Sequence, residues 1–249
     1  LGHESEHHNS NKFYPMLAKG LGRDAIYFDY VTTVEGALGD AAYLNKFDAL
    51  LLYANHGRIT PSQWRNLKAF VEGGGGFVPV HCASWCFGNE PGFDQLVGGR
   101  FASHKTGTFT AKVVDPKHPA MAGVKEFEAW DETYKHRNHN KKDRQVLMVR
   151  EVAEKGDNIT DPEPWTWVRT QGKGRVFYTA SGHDERVWKQ PAFHQLLKAG
   201  ILWSVGDARK RSYEKFIAGR TPLKYEKRDN IANYENRPEP LPYQFPLKA

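Results

Sequence analysis

The chain has 249 residues, of which 39% are hydrophobic, 13% aromatic and 26% charged, a length that predicts one large domain or two small ones. These proportions exclude a disordered tail, a collagen-like fibre and a coiled coil. The mean hydropathy is −0.67, and the absence of any apolar run of about 18 residues excludes a membrane-spanning helix. The net charge of +6 is dispersed, which does not favour nucleic-acid binding. Two cysteines are too few for a disulfide framework or a thiolate metal site.

The first two residues, Leu1 and Gly2, have the pattern of a strand end and lead into a polar stretch rich in histidine. A removed leader peptide, and hence a periplasmic or secreted protein, fits this beginning. A cytoplasmic protein whose first residues are missing fits it equally, so the compartment stays open.

Helices and strands are predicted in alternation along most of the chain. Helical spacing with capping residues and glycine stops predicts helices over residues 10–21, 61–72, 93–97 and 190–203. Continuous apolar runs and two-residue alternation predict strands over residues 26–31, 48–54, 77–81, 107–114, 146–152, 165–170 and 175–180. A glycine turn at residues 171–174 joins the last two strands in a predicted hairpin.

This alternation predicts an α/β fold with a doubly wound, mainly parallel sheet, since parallel neighbours need a helical crossover between them. The apolar strands over residues 48–54, 77–81 and 175–180 are predicted to be parallel neighbours in one buried sheet. No helical pattern separates residues 107–114 from residues 146–152, which favours an antiparallel extension of that sheet.

The composition changes after Gly206, where the remaining chain contains five prolines. We therefore predict an α/β domain over residues 1–206 and, over residues 207–249, a helix to about Phe216 followed by an extended arm. The arm has too many large apolar groups for a free linker, and we expect it to pack on the body or on a neighbouring subunit of a homo-oligomer. Tyr234, Tyr243 and Phe245 are the aromatic residues that it would bury.

Histidine follows several of the predicted strands at the point where each strand ends. His3, His56, His81 and His183 occupy such positions. Because parallel strands end at one edge of a sheet, where α/β proteins bind their ligands, a shared site is predicted there. We expect His3, His81 and His183 to hold a divalent metal ion, zinc or similar, while coincidence or polar packing is the alternative.

Other candidate residues lie outside this set. The segment over residues 2–9 is rich in imidazoles and carboxylates and is either a metal-binding or a solvated loop. Asp131 and Glu132 beside Trp130 form a pattern typical of sugar sites, whereas His136 and His139 are assigned to a charged surface loop.

Cys82 is predicted to lie where a strand turns toward a helix, the position of the nucleophile in elbow motifs. Val80 and Ser84 stand where a sharp elbow usually has glycine. A small buried thiol is therefore favoured over a catalytic one.

Five segments together resemble the ThuA-like (trehalose-utilisation) family, within the class I glutamine-amidotransferase-like fold. They are residues 50–55, 74–84, 131–134, 163–168 and 182–186, and the resemblance covers about residues 1–205. It implies a flavodoxin-like three-layer sandwich and a link to oxidised, 3-keto glycosides. It also places Cys82 at the amidotransferase elbow, and His183 with Asp184 or Glu185 at the His-x-Glu position.

The favoured function is a metal-assisted enzyme that cleaves or rearranges 3-keto-glycosides, in which Glu132 or Asp131 is the base and His183 also belongs to the catalytic set. The residues expected to contact the sugar are Tyr134, Trp130, Trp165, Asn55 and His104. A non-catalytic carbohydrate-binding module and a Cys-His hydrolase of the amidotransferase type remain as alternatives.

Overall fold

A computed structural model describes residues 1–153 and 157–220. The strands are β1 Ala49–Leu52, β2 Gly76–Pro79, β3 Arg100–Ser103, β4 Thr106–Thr110, β5 Lys112–Val113, β6 Glu128–Glu132, β7 Lys135–Arg137, β8 Arg144–Arg150, β9 Glu163–Gln171 and β10 Gly174–Thr179. The α-helices are α1 Ser10–Gly22, α2 Val34–Leu38, α3 Ala41–Leu44, α4 Pro61–Glu72, α5 Pro91–Val97, α6 Glu185–Trp188, α7 Pro191–Ser204 and α8 Gly206–Ala218, and short 3-10 helices span His81–Trp85 and Pro119–Met121.

The main sheet has six strands in the order β1-β2-β10-β9-β8-β5. The pairs β1–β2 and β2–β10 are parallel, which confirms that the three apolar strands are parallel neighbours. The other half of the sheet is antiparallel, and β9 and β10 form the predicted hairpin. Gly172 in its turn has φ of 59°, a left-handed conformation that glycine adopts without strain.

Helices cover both faces of this sheet, as the α/β prediction requires. The Phe77 ring of β2 contacts Phe93 of α5. Phe177 of β10 points to the opposite face, against Gly200 of α7, where a Cβ would come within 2.5 Å of the ring. Helix α4 begins with a capping box between Thr60 and Gln63. The α/β fold class is thus confirmed, with a mixed main sheet in which, over the described residues, two of the five strand pairs are parallel.

The strand predicted over residues 26–31 is not a regular strand in the structure. The Val31 carbonyl of this segment accepts a backbone hydrogen bond from the Gly2 amide, and this single bond is not enough to pair the segment as a strand. Instead, the first residues of the chain lie beside β1, where the Leu1 amino group donates to the Leu51 carbonyl at 2.7 Å. The predicted strand over 107–114 is also divided, because β4 pairs with β6 in a separate two-stranded sheet while β5 joins β8.

Helix α8 confirms the helix expected to continue to about Phe216. The arm predicted over residues 222–249, and with it the contact to a neighbouring subunit, lies outside the described residues. Among the residues that are described, no helix has the length and apolar character needed to cross a membrane.

Candidate metal centre and its cleft

Three chain segments meet at the carboxyl edge of the parallel strands. His81 follows β2, beyond an isolated bridge between Val80 and Thr179 that extends the parallel pairing. His183 follows β10, and Glu132 is the last residue of β6. The structure therefore brings His81 and His183 together, as the strand-end rule predicts, and Glu132 lies between them.

The backbone of His81 has φ of 49°, a left-handed conformation that is rare for a residue other than glycine. Its Nδ1 lies 2.6 Å from the Ala180 carbonyl, which can only accept, so Nδ1 carries the proton. In the neutral ring, Nε2 then has a free lone pair directed at the centre of the site. Burial lowers the pKa of His81 to about 4, although the neighbouring Glu132 acts in the opposite direction.

Four side chains form a group whose ligand atoms all lie within 4.8 Å of one another: His8, His81, Glu132 and His183. His8 Nε2 is 3.2 Å from His81 Nε2 and 3.4 Å from His183 Nδ1. Glu132 Oε2 is 3.2 Å from His81 Nε2, and Glu132 Oε1 is 3.2 Å from His183 Nδ1. Tetrahedral ligands at about 2.0 to 2.1 Å from one zinc ion would be separated by about 3.3 Å. These four spacings are close to that value, and the spacing of 3.7 Å between His8 Nε2 and Glu132 Oε2 is somewhat longer.

The charges in the group favour a cation. Burial raises the pKa of the Glu132 carboxyl, but the adjacent imidazoles of His8, His81 and His183 outweigh burial and hold it well below its usual range. Burial also lowers the pKa of His183. An anionic carboxylate with neutral imidazoles is the protonation state that binds a divalent metal.

His8 takes the place that was predicted for His3. The His3 ring stacks on His56, with centroids 4.0 Å apart, and its Nδ1 lies 2.9 Å from Asn55 Oδ1. The loop from His3 to Ser10 folds back on itself, because the Ser10 amide donates to the His3 carbonyl and the His8 amide donates to Ser5 Oγ. His8 is thereby buried just before the Asn9 cap of α1.

Asp131 is an anchor for the His183 loop. Its Oδ1 accepts the amide N–H groups of Glu132 and His183, and its Oδ2 accepts that of Gly182, each at 2.9 Å. Burial raises the pKa of Asp131 to about 7, although these three hydrogen bonds act to lower it. Because both oxygens are engaged and the residue is buried, the geometry supports Glu132, not Asp131, as the predicted base.

The group opens into a cleft of about 310 Å³. Its walls are His7, His8, Asn55, Cys82, Trp85, Phe101, His104, Glu132 and Tyr134. Three of the predicted sugar-contacting residues, Asn55, His104 and Tyr134, therefore line it. His104 Nδ1 is 3.5 Å from Glu132 Oε1, and the Tyr134 ring stacks on His81 with centroids 4.2 Å apart.

The two predicted tryptophans differ in position. Trp130 lies beside His183, with ring centroids 6.1 Å apart, and the Arg186 guanidinium covers its face at 3.9 Å. Trp165 is fully buried and donates from Nε1 to Ser181 Oγ at 2.8 Å. The expectation that Trp165 borders a sugar is corrected, because its strand β9 has core on both faces at this point.

Cys82 does not have the features of a nucleophile. It is 1% exposed, and burial raises the pKa of its thiol well above the ordinary value. The left-handed residue at the turn is His81, one position earlier, so the elbow presents an imidazole to the site.

His136, expected on a surface loop, is buried in a polar network behind the site. Its Nδ1 lies 2.8 Å from Glu163 Oε1, and its Nε2 lies 3.0 Å from the Tyr178 hydroxyl. That hydroxyl is also 3.2 Å from the His81 carbonyl and 3.0 Å from Ser84 Oγ. The network therefore fixes the backbone that holds His81 in its left-handed conformation.

Comparisons with known proteins agree with this architecture. The family model ThuA, described as trehalose utilisation, matches residues 1–204. A ThuA-like protein from Parabacteroides merdae superposes with a TM-score of 0.68 at 19% identity, covering 82% of this chain and 88% of that one. Another from Bacteroides uniformis gives 0.63 at 21% identity, with 78% and 82% covered.

A larger protein shares the same fold in part. The β-galactosidase from Rahnella sp. R3 superposes with a TM-score of 0.54 at 17% identity, and the match covers 82% of this chain but 28% of the galactosidase. At such identities, structural likeness shows the fold alone. No curated protein matches the chain in sequence.

Proposed function

The chain belongs to the ThuA (trehalose-utilisation) family, related to carbohydrate metabolism, and from this premise we propose that it is a divalent-metal-dependent enzyme that cleaves or rearranges glycosides, with 3-keto-glycosides as the favoured substrates. The observation that carries the proposal is the group of His8, His81, Glu132 and His183 at the base of the cleft. Its four donors come from four separate chain segments, and this convergence supports a built site.

The residues present fit a metal ion. His81 Nε2, with its proton on the other nitrogen, presents a lone pair to a carboxylate oxygen at 3.2 Å, so two acceptors face each other. A cation between them converts this repulsion into attraction. The bond from His81 Nδ1 to the Ala180 carbonyl is the kind of outer contact that orients metal-binding imidazoles.

The chemistry follows from the electronics of the substrate. A ketone at C3 acidifies the hydrogen at C2, so removal of that proton gives an enolate. The enolate re-forms the ketone as a C1–C2 double bond forms and the bond from C1 to its substituent breaks, and the substituent takes up a proton and leaves as an alcohol. A bound divalent ion would supply Lewis acidity to the ketone oxygen. Glu132 Oε2 faces His8 and His81. Oε1 lies 3.2 Å from His183 Nδ1 and 3.5 Å from His104 Nδ1 in the cleft wall, and it is the oxygen assigned to accept the C2 proton.

The test uses protein purified without an affinity tag and assayed on glycosides and on 3-keto-glycosides, with and without a chelator. We expect turnover that chelation abolishes and that added zinc or a similar ion restores. Turnover that is insensitive to chelation would contradict the metal-dependent part of the proposal, and product analysis distinguishes cleavage from rearrangement.

A non-catalytic carbohydrate-binding module is the second candidate, favoured by the aromatic walls of the cleft, Trp85, Phe101 and Tyr134. Calorimetry with the same sugars, followed by product analysis, separates the two: a module binds them and leaves them unchanged. A Cys-His hydrolase is disfavoured, since buried Cys82 lacks a stabilised thiolate.

A further inference from the structure

We propose that Trp85 is the surface on which a pyranose ring of the substrate stacks, so that the ring edge faces the donor group at the base of the cleft. This inference rests on the proposed function and deepens it, because it assigns the substrate class to a pyranoside and the stacking contact to one side chain.

The exposure of Trp85 is the first observation. It is 42% exposed, as one of five exposed large hydrophobic residues in the described part of the chain. The other four, Tyr27, Val114, Val152 and Phe216, do not line the cleft. An apolar ring left open to solvent in the wall of a concave site marks a contact surface for a ligand.

The backbone that carries the indole is held in place. The Trp85 carbonyl accepts a hydrogen bond from Arg100 Nη2 at 2.9 Å, and Arg100 in turn is paired with Asp94 at 2.9 Å. The ring passes near Gly57, where a Cβ would lie 3.8 Å from it. An anchored backbone reduces the conformational freedom that is lost when a ligand stacks on the ring.

Trp85 shares the cleft with two members of the donor group. It ends the 3-10 helix that begins at His81, four residues earlier. His8 and Glu132 line the same cleft of about 310 Å³ as Trp85. A sugar ring that stacks on Trp85 therefore lies in the same cavity as these two donors.

The rest of the cleft matches the two chemistries of a pyranose. The Phe101 and Tyr134 rings, with centroids 4.5 Å apart, add further apolar wall, and Asn55 and His104 supply hydrogen-bonding groups. A pyranose has C–H bonds on its faces, which suit the electron-rich face of an indole, and hydroxyls around its rim. A cleft of about 310 Å³ is at the lower end of ligand sites, which favours one ring over a long chain.

The experiment measures binding of methyl α-D-glucopyranoside and its 3-keto derivative by titration calorimetry. Trp85→Ala is expected to raise the dissociation constants of both sugars at least tenfold. Trp85→Phe keeps an aromatic face, and its dissociation constants are expected to stay within about threefold of those of the wild type. Phe216→Ala is the matched control, an exposed aromatic outside the cleft, and is expected to bind as the wild type does.

Metal content and thermal stability are measured on every variant. Unchanged affinity in Trp85→Ala, or no binding of either sugar by the wild type, would overturn the inference. A protein that binds no metal but loses sugar affinity in Trp85→Ala would contradict the proposed function and retain the stacking surface, so the two failures are distinguishable.

Discussion

At the scale of single residues, His81 is the side chain on which the proposed metal site depends most. Its left-handed backbone directs the imidazole toward the donor group. The Ala180 carbonyl accepts the hydrogen bond that Nδ1 donates, so that Nε2 is the nitrogen without a proton. Because the ring is fully buried, the imidazole is kept neutral at neutral pH, and its lone pair is available to a cation.

His81→Ala is expected to lower the affinity for a divalent ion at least a hundredfold with the fold retained. The reason is that it removes one of four donors and leaves Glu132 Oε2 without that partner. His194→Ala is the matched control, since His194 lies on α7 against Gly20, away from the cleft. Titration with zinc in the presence of a competing chelator measures both variants, and equal affinities would contradict the assignment.

Cys82→Ser is expected to leave turnover within a few-fold of the wild type. The thiol is buried and protonated, so its replacement by a hydroxyl alters the local packing but removes no nucleophile. Steady-state kinetics on the substrate identified by the assay checks this, and an inactive but folded Cys82→Ser protein would favour the hydrolase alternative.

The junction of β6 with the loop after β10 is what assembles the site at the scale of elements. Asp131, next to the last residue of β6, accepts two amide N–H groups of the loop, from Gly182 and His183. Gly182 has φ of 134°, and a Cβ there would come within 3.3 Å of the His81 Cβ. This close passage of the loop brings His183 next to the ring of His81.

Asp131→Asn is expected to lower the free energy of unfolding by about 1 to 3 kcal/mol, because an amide nitrogen cannot accept one of the buried N–H groups. Displacement of the His183 loop should also weaken metal binding by about 10- to 100-fold. Urea denaturation and metal titration measure the two effects. Asp207→Asn, which loses only an exposed pair with Arg175, is the control expected to change neither.

The elements that the sequence predicts well are those whose pattern is local. Residues 48–54 and 77–81 are continuous apolar runs, and Thr60 with Pro61 begins α4. Residues 26–31 have an equally strand-like pattern, yet they lack a full neighbouring strand to pair with. A local pattern cannot report whether a partner strand is present.

Only the part of the site that a local pattern reveals was predicted from the sequence. The strand-end rule found His81 and His183, because strand ends can be read from hydrophobic runs. It chose His3 over His8, since the backbone bonds that fold residues 3–10 back on themselves leave no mark in composition. Trp165 was misplaced because a strand that is buried on both faces gives no alternation to show its orientation.

Acid stability is a property of the whole molecule to which buried imidazoles contribute. Burial lowers the pKa of His136, and Glu163, despite its burial, has a pKa lowered by its hydrogen bond with His136. Both groups bind protons more readily in the unfolded chain than in the folded one. Their contributions are therefore present at neutral pH and are lost as pH falls, from about 6.5 downward for the histidine and from about 4.5 downward for the carboxyl.

The decrease in the free energy of unfolding between pH 7 and pH 4 is accordingly expected to be smaller in His136→Gln than in the wild type, since the variant lacks the buried imidazole. Asp131, whose pKa burial raises to about 7, acts in the opposite direction in both proteins and cancels in the comparison. Urea denaturation at half-unit intervals of pH, in the presence of a chelator to exclude metal effects, measures both. Equal pH dependences of the two proteins would contradict the neutral, buried state assigned to His136.

At the scale of the whole site, we propose one divalent ion bound by His8, His81, His183 and Glu132 at the carboxyl edge of the parallel strands. Anomalous diffraction at the zinc absorption edge, from crystals of tag-free protein grown with zinc, tests it most directly. We predict one strong peak within about 2.0 to 2.1 Å of the three imidazole nitrogens and of a Glu132 oxygen. A map with no peak among these four side chains, or with its main peak elsewhere, would contradict the account.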